Sequence, residues 1–488
     1  MRFLVFLLYI TGFSGIAQGQ ALPASPAPLV PPAQKQQAPA DLPDNVLALR
    51  QLAGEYYYTG NHAEFVRVME KLHDLRPNNG EYMYQLTIAY SLANEPGKAY
   101  NRMLLMQQQG LSYDYTKNED FENIRGTQVF DYLSDLMMRA GEPIGNGSVA
   151  FKLPEDFILP EAIDWDAGRE QFIIGNIDDG RVLLVDRDGK TSPFIESDPD
   201  NGPWGVFDLK VDAGRNLLWI SSAAGSAYRL ASDEVRNKTG LFKFELSSGK
   251  LLGTYLVPDT DKRRSALANI ALASDGTVYV ADSLRPVIYK LQDGDGALAP
   301  LFVSSKLISV RGMALSEDNK TLYMADYELG IVVLRLEQQQ AIALVVPENL
   351  NVGGIDGLYL WKNHLVAIQN GISPQRVMRL ELDASGTRVE NVRPLEIAHP
   401  AFDAPNYGTV VGEDLYYFGN SQWHKIGRDG SLADKTPVSV LKTSLLGQSD
   451  LQTPEMDKIM EQIRQRQGIN PVQVRPGLLD ANPDEKEN

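Results

Sequence analysis

Starting at Thr277 the chain reads TVYVADSLRPVIYKL, and starting at Thr321 it reads TLYMADYELGIVVLRL. Each run is an apolar strand carrying an aromatic, a stop at Ala-Asp, a short polar turn and a second apolar strand. The pattern recurs in EQFIIGNIDDGRVLLVD, NLLWISSAAGSAYRL, HLVAIQNGISPQRVMRLEL and DLYYFGNSQWHKIG. With Phe172, Leu218, Val278, Leu322, Leu365 and Leu415 as anchors, the spacings are 46, 60, 44, 43 and 50 residues. One such unit cannot bury both faces of its own sheet, so its neighbours must do it.

A period of about 45 residues with about four strands per unit predicts the blades of a β-propeller. Six of them close into a ring over residues 148–445. Turn dipeptides fall where hairpins need them: Asp179-Gly180, Asp188-Gly189, Ser248-Gly249, Asp275-Gly276 and Asp429-Gly430. The long second unit carries an insertion around ASDEVRNKTG, a surface loop. Two strands compete to close the ring, SVAFKLP at 148–154 and PVSVLKTSL at 437–445.

Ahead of the ring the periodicity changes from two to between three and four, which predicts helices. Residues 46–79 and 80–113 form two units at a 34-residue period. Leu52 matches Leu86, Tyr56 matches Tyr90, and Gly60-Asn61 sits where Asn94-Glu95 sits. Pro77 is at position 32 of the first unit, and Leu111 takes its place in the second. These residues resemble tetratricopeptide repeats, the second degenerate. Phe121, Ile124, Phe130, Leu133 and Leu136-Met137 suggest a third, altered helix pair, which gives a helical domain over 44–141. The resemblance implies a protein or peptide partner on its concave face. GEPIGNG at 141–147 has no apolar face and marks the boundary with the ring.

Both ends carry further signals. Residues 1–19 read as a signal peptide: one Arg, an apolar run from Phe3 to Ile10, then small residues, with Ala17 and Gly19 or Gly19 and Ala21 suited to cleavage. The run is too short to span a bilayer. Residues 20–43, rich in Pro, Ala and Gln, read as a disordered or polyproline-II linker. Thr453 and Pro454 start a helix over 453–467 with a stripe of Met456, Ile459, Met460 and Ile463. Residues 470–488, rich in Pro and acids, read as a disordered tail.

The chain has no cysteine, which excludes disulfides, thiol catalysis and cysteine-held metals. An exported protein of this kind is expected in a bacterial periplasm. The formal net charge of −17 argues against nucleic acid and anionic membranes as partners.

In a propeller the leading ends of the six innermost strands meet at the mouth of the central channel. LPEAIDWD places Glu161 there, GGIDGLYL places Asp356, and SVRGMALS places Arg311. SALANIAL offers Ala268 or Asn269, and GPWGVFDLKVD offers Phe207-Asp208. His399, in AHPAFDAPN, and Asn420, in YYFGNSQW, are the other polar candidates near the mouth.

These segments, over roughly 155–445, resemble the SMP-30/gluconolactonase/LRE-like family of six-bladed propellers, which includes calcium- or zinc-dependent lactonases. The family holds its metal with a Glu, two Asn and an Asp. The Glu falls on Glu161, four residues before Trp165, and the Asp on Asp356. One Asn falls on Arg311, and the other on Ala268 with Asn269 next to it. Two of the four ligands are therefore kept, and a guanidinium, which only donates, cannot ligate.

Two functions remain in view. The first is an exported ligand- or protein-binding protein with no cofactor, taking a small polar ligand at the channel. The alternative is a lactonase- or esterase-like hydrolase with Glu161 and Asp356 holding Ca²⁺ or Zn²⁺ and Asp356 as base. The fold expected under both is α plus all-β: tetratricopeptide-like helices followed by a six-bladed propeller.

Overall fold

The computed structural model describes residues 41–258, 264–292, 294–427 and 435–446. The readings at 1–19, 453–467 and 470–488, and nearly all of 20–43, lie outside the described residues.

Five α-helices come first among the described residues: α1 (Val46–Tyr58), α2 (His62–Leu75), α3 (Gly80–Leu92), α4 (Pro96–Gln108) and α5 (Gln128–Ala140). Asn45, Asn79 and Thr127 cap α1, α3 and α5 by accepting from the amides of Ala48, Tyr82 and Phe130. α3 begins 34 residues after α1, and α4 begins 34 after α2. Consecutive helices pack on one another around Leu49, Phe65, Met69, Met83, Leu86, Met103 and Met106, all buried. The expected third pair is not one. Its first half is a single 3₁₀ turn, Glu119–Phe121, and only α5 follows. Gly126, at φ +75°, and the capping Thr127 break the segment before a first helix can extend. Phe121 and Ile124 are still buried, as their spacing predicts.

The remainder is the ring. β1 (Ser148–Lys152) is followed by a first blade of β2–β5 (Pro160–Asp166, Gln171–Asn176, Val182–Val185, Thr191–Ile195). The second is β6–β9 (Gly205–Asp212, Leu217–Ala223, Thr239–Glu245, Leu251–Leu256) and the third β10–β13 (Leu267–Leu272, Val278–Asp282, Val287–Leu291, Ala299–Val303). The fourth is β14–β17 (Val310–Leu315, Thr321–Asp326, Gly330–Arg335, Gln340–Ala343), and the fifth β18–β21 (Ile355–Trp361, His364–Gln369, Arg376–Leu382, Val389–Ile397). The last strands are β22 (Gly408–Val411), β23 (Asp414–Phe418) and β24 (Ser439–Ser444). Each blade is an antiparallel sheet of four strands in sequence order, apart from the sixth, whose order is β22, β23, β24, β1. The two strands that competed to close the ring therefore pair with each other, Ser148 opposite Lys442 and Lys152 opposite Ser439.

The helices sit on the ring. The loops they touch all lie at the leading ends of the innermost strands, beside blades four and five. Ile372, in the β19–β20 turn, belongs to the helical core. Asn78 Nδ2 donates to the Leu329 carbonyl at 2.9 Å and the Ser112 amide to the Ser373 carbonyl at 2.7 Å. Arg76 and Glu328, both buried, face each other at 3.6 Å across the junction. The connecting segment is bound too: Ile144 exchanges two backbone hydrogen bonds with Ile397. Gly353 abuts Asn78 so closely that a Cβ would strike its backbone carbonyl. Gly353→Ala is therefore expected to lower stability by about 1–3 kcal/mol, as overpacking does. Urea unfolding of the full chain measures it.

Candidate functional site

In the first five blades the leading end of the innermost strand carries an irregularity of the same kind. Pairing with the second strand shifts between Pro160 and Ala162, Val206 and Asp208, Leu267 and Ile270, Val310 and Gly312, and Ile355 and Leu358. A bulge leaves its extra residue out of the ladder and re-aims the side chain. The residues left out are Glu161, Phe207, Ala268 with Asn269, Arg311, and Asp356 with Gly357. In the sixth blade Asn406 and Tyr407 precede β22 and bond the Phe418 backbone from both sides. Five bulged strand ends and the residues ahead of β22 thus build one polar cup.

At its centre Arg311 Nη1 donates to Asp356 Oδ1 at 3.3 Å, and its guanidinium lies 4.8 Å from the centre of the Tyr327 ring. Asp356 Oδ2 accepts from Asn370 Nδ2 at 2.7 Å, and Asn370 Oδ1 accepts from the Tyr327 hydroxyl at 3.1 Å. The Arg311 side chain is 38% exposed, so part of its fork faces the mouth. Against the desolvation of its inner part, the Asp356 carboxylate favours the charged form of that guanidinium.

Glu161 is in a different state. Its Oε1 accepts from Asn406 Nδ2 at 2.6 Å and from Trp423 Nε1 at 2.7 Å. Burial pushes its carboxyl up to about 8, and the negative charge of Asp356 adds to this. The two donors and Arg311 pull the other way and lose. Glu161 therefore carries a proton at neutral pH. Trp423 also stacks on Phe207, ring centroids 6.5 Å apart, which makes an apolar wall. Burial raises the Tyr407 phenol well above the ordinary tyrosine range, and the neighbouring Asn269 amide works the other way. Two amide oxygens in this group, Asn269 Oδ1 and Asn406 Oδ1, are buried with no hydrogen-bond partner among the described residues.

The structure brings together Glu161, Asn269, Arg311 and Asp356, and it places the other three candidates elsewhere. Asp208 lies one residue past the bulge of its strand, so Phe207 takes the mouth position. The Asp208 carboxylate accepts from the Ile270 and Leu209 amides at 2.8 Å and from Lys210 Nζ at 3.0 Å, strapping β6 to β10. His399 Nδ1 accepts from the Ala401 amide, and Nε2 bonds the Gly147 carbonyl at 3.0 Å. It fastens the segment between helices and ring. Asn420 spends its amide on the Ser439 N–H and the Pro437 carbonyl, holding β23 to β24. Sequence reasoning missed Tyr327, Asn370, Asn406, Tyr407 and Trp423. Trp423 ends YYFGNSQW, the segment that supplied Asn420.

A divalent cation fits this cup poorly. Ca²⁺ takes six to eight oxygens. Here both Asp356 oxygens and one Glu161 oxygen are already bonded to donors, and the Arg311 cation sits against Asp356. Among the described residues no three His, Cys, Asp or Glu side chains cluster to hold a metal.

No family model and no curated protein matches the chain. Solved structures do match it. One is a gluconolactonase from Xanthomonas campestris, 13% identical, covering 61% of this chain and 89% of its own at a TM-score of 0.42. Another is the calcium-binding protein regucalcin from Agrobacterium tumefaciens, 12% identical, covering 61% and 97% at 0.42. A third is the PQQ-bound aldose sugar dehydrogenase from Streptomyces coelicolor, 13% identical, covering 62% and 100%, also at 0.42. Such scores and identities carry no function across. The six-bladed ring stands on its own strand pairing.

Proposed function

We propose that this chain is a binding protein whose propeller mouth takes a small polar ligand. The observation that carries it is the pair of unsatisfied, buried amide oxygens, Asn269 Oδ1 and Asn406 Oδ1, on the strand ends that form the mouth. Leaving a buried acceptor unpaired costs about 1–3 kcal/mol, and this mouth leaves two. A ligand with hydroxyl or amide donors would satisfy them, while Arg311 would donate to the ligand's acceptor. The test is ligand-observed NMR with lactate, glycerol and acetamide as probes. At least one is expected to bind at millimolar concentration, and Arg311→Met is expected to weaken it about tenfold. A parent indistinguishable from Arg311→Met with all three probes contradicts the reading.

The rest of the proposal concerns setting. The 34-residue offset of the helix pairs supports a tetratricopeptide-like unit with a protein or peptide partner. The signal-like residues 1–19 support export to a periplasm. No helix among the described residues is long and apolar enough to cross a membrane.

A second reading is the lactonase- or esterase-like hydrolase. It draws on the meeting of Glu161 and Asp356 at one mouth with Asn269 close by. It would need Ca²⁺ or Zn²⁺ to displace Arg311 from Asp356.

A further inference from the structure

Matches to solved propellers span about three fifths of this chain, and its helices are packed on the very loops that shape the mouth. We infer that the helical unit is a working part of the mouth: it holds the β19–β20 turn, and that turn sets the position of the Arg311–Asp356 pair. Asn370 and Tyr327 are the positioning residues.

The turn, residues 370–375, is gripped from the helical side at several points. The Ser112 amide donates to the Ser373 carbonyl at 2.7 Å. Ile372 is buried in the helical core. At the start of β20, Arg376 Nη1 reaches the Gln109 carbonyl at the C-terminal end of α4, at 3.0 Å. The same guanidinium bonds the Asn351 carbonyl at 3.0 Å and Gln369 Oε1 at 2.8 Å. It thus joins the last turn of a helix, the segment leading into β18 and the end of β19.

From the other side the turn holds the mouth. The Asn370 and Gly371 amides both donate to the Gly354 carbonyl, and the Gly354 amide donates to the Tyr327 carbonyl at 2.7 Å. Three chain segments are knitted at that point, carrying Tyr327, Asp356 and Asn370. Their side chains close the circuit, with Asn370 on Asp356, Tyr327 on Asn370 and the Tyr327 ring under Arg311. Gln375 extends the grip by accepting from the Ala404 amide, just ahead of Asn406 and Tyr407. A contiguous set of hydrogen-bonded segments of this kind can carry coupling between a docking surface and a site, and coupling must be measured rather than assumed.

The readout is the Arg311 guanidinium itself, so the test does not depend on whether the mouth holds a ligand. The full chain is treated with phenylglyoxal and the rate of modification at Arg311 is followed by peptide mass spectrometry, with exposed Arg236 as internal reference. Asn370→Ala and Arg376→Lys are each expected to raise the Arg311 rate about threefold or more, and the double variant no more than the faster single one. Tyr327→Phe, which loses only the bond to Asn370, should raise it less than Asn370→Ala. An unchanged Arg311 rate in a folded Arg376→Lys, or effects that multiply in the double variant, overturns the inference. Should Arg376→Lys fail to fold, native-state hydrogen exchange of the parent decides. The Ser112, Asn370 and Gly371 amides are expected to open in one step; separate openings for Ser112 and the other two overturn the inference.

Discussion

Glu161→Gln is expected to make the protein more stable in mild base and to leave it nearly unchanged at pH 5. The folded protein holds the Glu161 proton up to about 8, against an ordinary glutamate value of 4.5. Between those values the folded state binds one proton more than the unfolded chain. Stability contributed by this group is therefore fully present below 4.5 and is lost as pH rises, by about 1.4 kcal/mol per pH unit. By pH 8.5 the accumulated loss is about 4–5 kcal/mol. Glutamine is neutral throughout, keeps an acceptor for Asn406 and Trp423, and abolishes the term. Paired urea unfolding at pH 5, 7 and 8.5 gives the difference, in which other titrating groups cancel. A constant offset between the two proteins would mean that Glu161 does not titrate in this range. A buried acid kept at that cost is what a binding site retains at the expense of stability.

Arg376→Met should be the most damaging single change at the junction of helices and ring. The side chain is buried and, among the described residues, has no carboxylate partner; its contacts are the Gln109 and Asn351 carbonyls and Gln369 Oε1. Burial lowers its guanidinium to about 10, a cost of order 3 kcal/mol relative to its ordinary 12.5. Against that stand three hydrogen bonds from a charged donor, about 1.5–3 kcal/mol each, and the favourable end of the α4 dipole. Methionine fills the space but strands all three acceptors. The net loss is expected at about 3 kcal/mol, seen as a lower midpoint in denaturant. A midpoint within error of the parent would mean that water replaces the guanidinium without cost.

The ring was legible because six units repeat alternation, aromatic and turn at nearly one spacing, and each signal is local. The partner of β1 was not, since β1 and β24 lie nearly 300 residues apart and both read as ordinary strands. At the mouth, Glu161, Arg311 and Asp356 were legible as the second residues of their innermost strands. The bulge between Val206 and Asp208 moved the corresponding position in blade two from Asp208 to Phe207, and nothing in VFDLKV announces a bulge. Asn406 and Tyr407 escaped because β22 is short and its leading residues read as loop. Trp423 reaches Glu161 from a 3₁₀ turn that has no period at all. Arg376 was invisible for another reason: a charged residue at a strand end reads as solvent-facing, and only the helices packed on it make it a pin.

The central claim is that the mouth is organised around the Arg311 guanidinium in place of a metal ion. Thermal melting with and without Ca²⁺ or Zn²⁺ tests it most directly, since a ligand stabilises only through its affinity for the folded state. The parent is expected to melt within about 1 °C of its metal-free value at millimolar metal, and Arg311→Asn, which adds an oxygen and removes the opposing cation, is expected to gain several degrees. A parent strongly stabilised by either metal, with the effect lost in Glu161→Gln or Asp356→Asn, would contradict the account and favour the metal-dependent hydrolase.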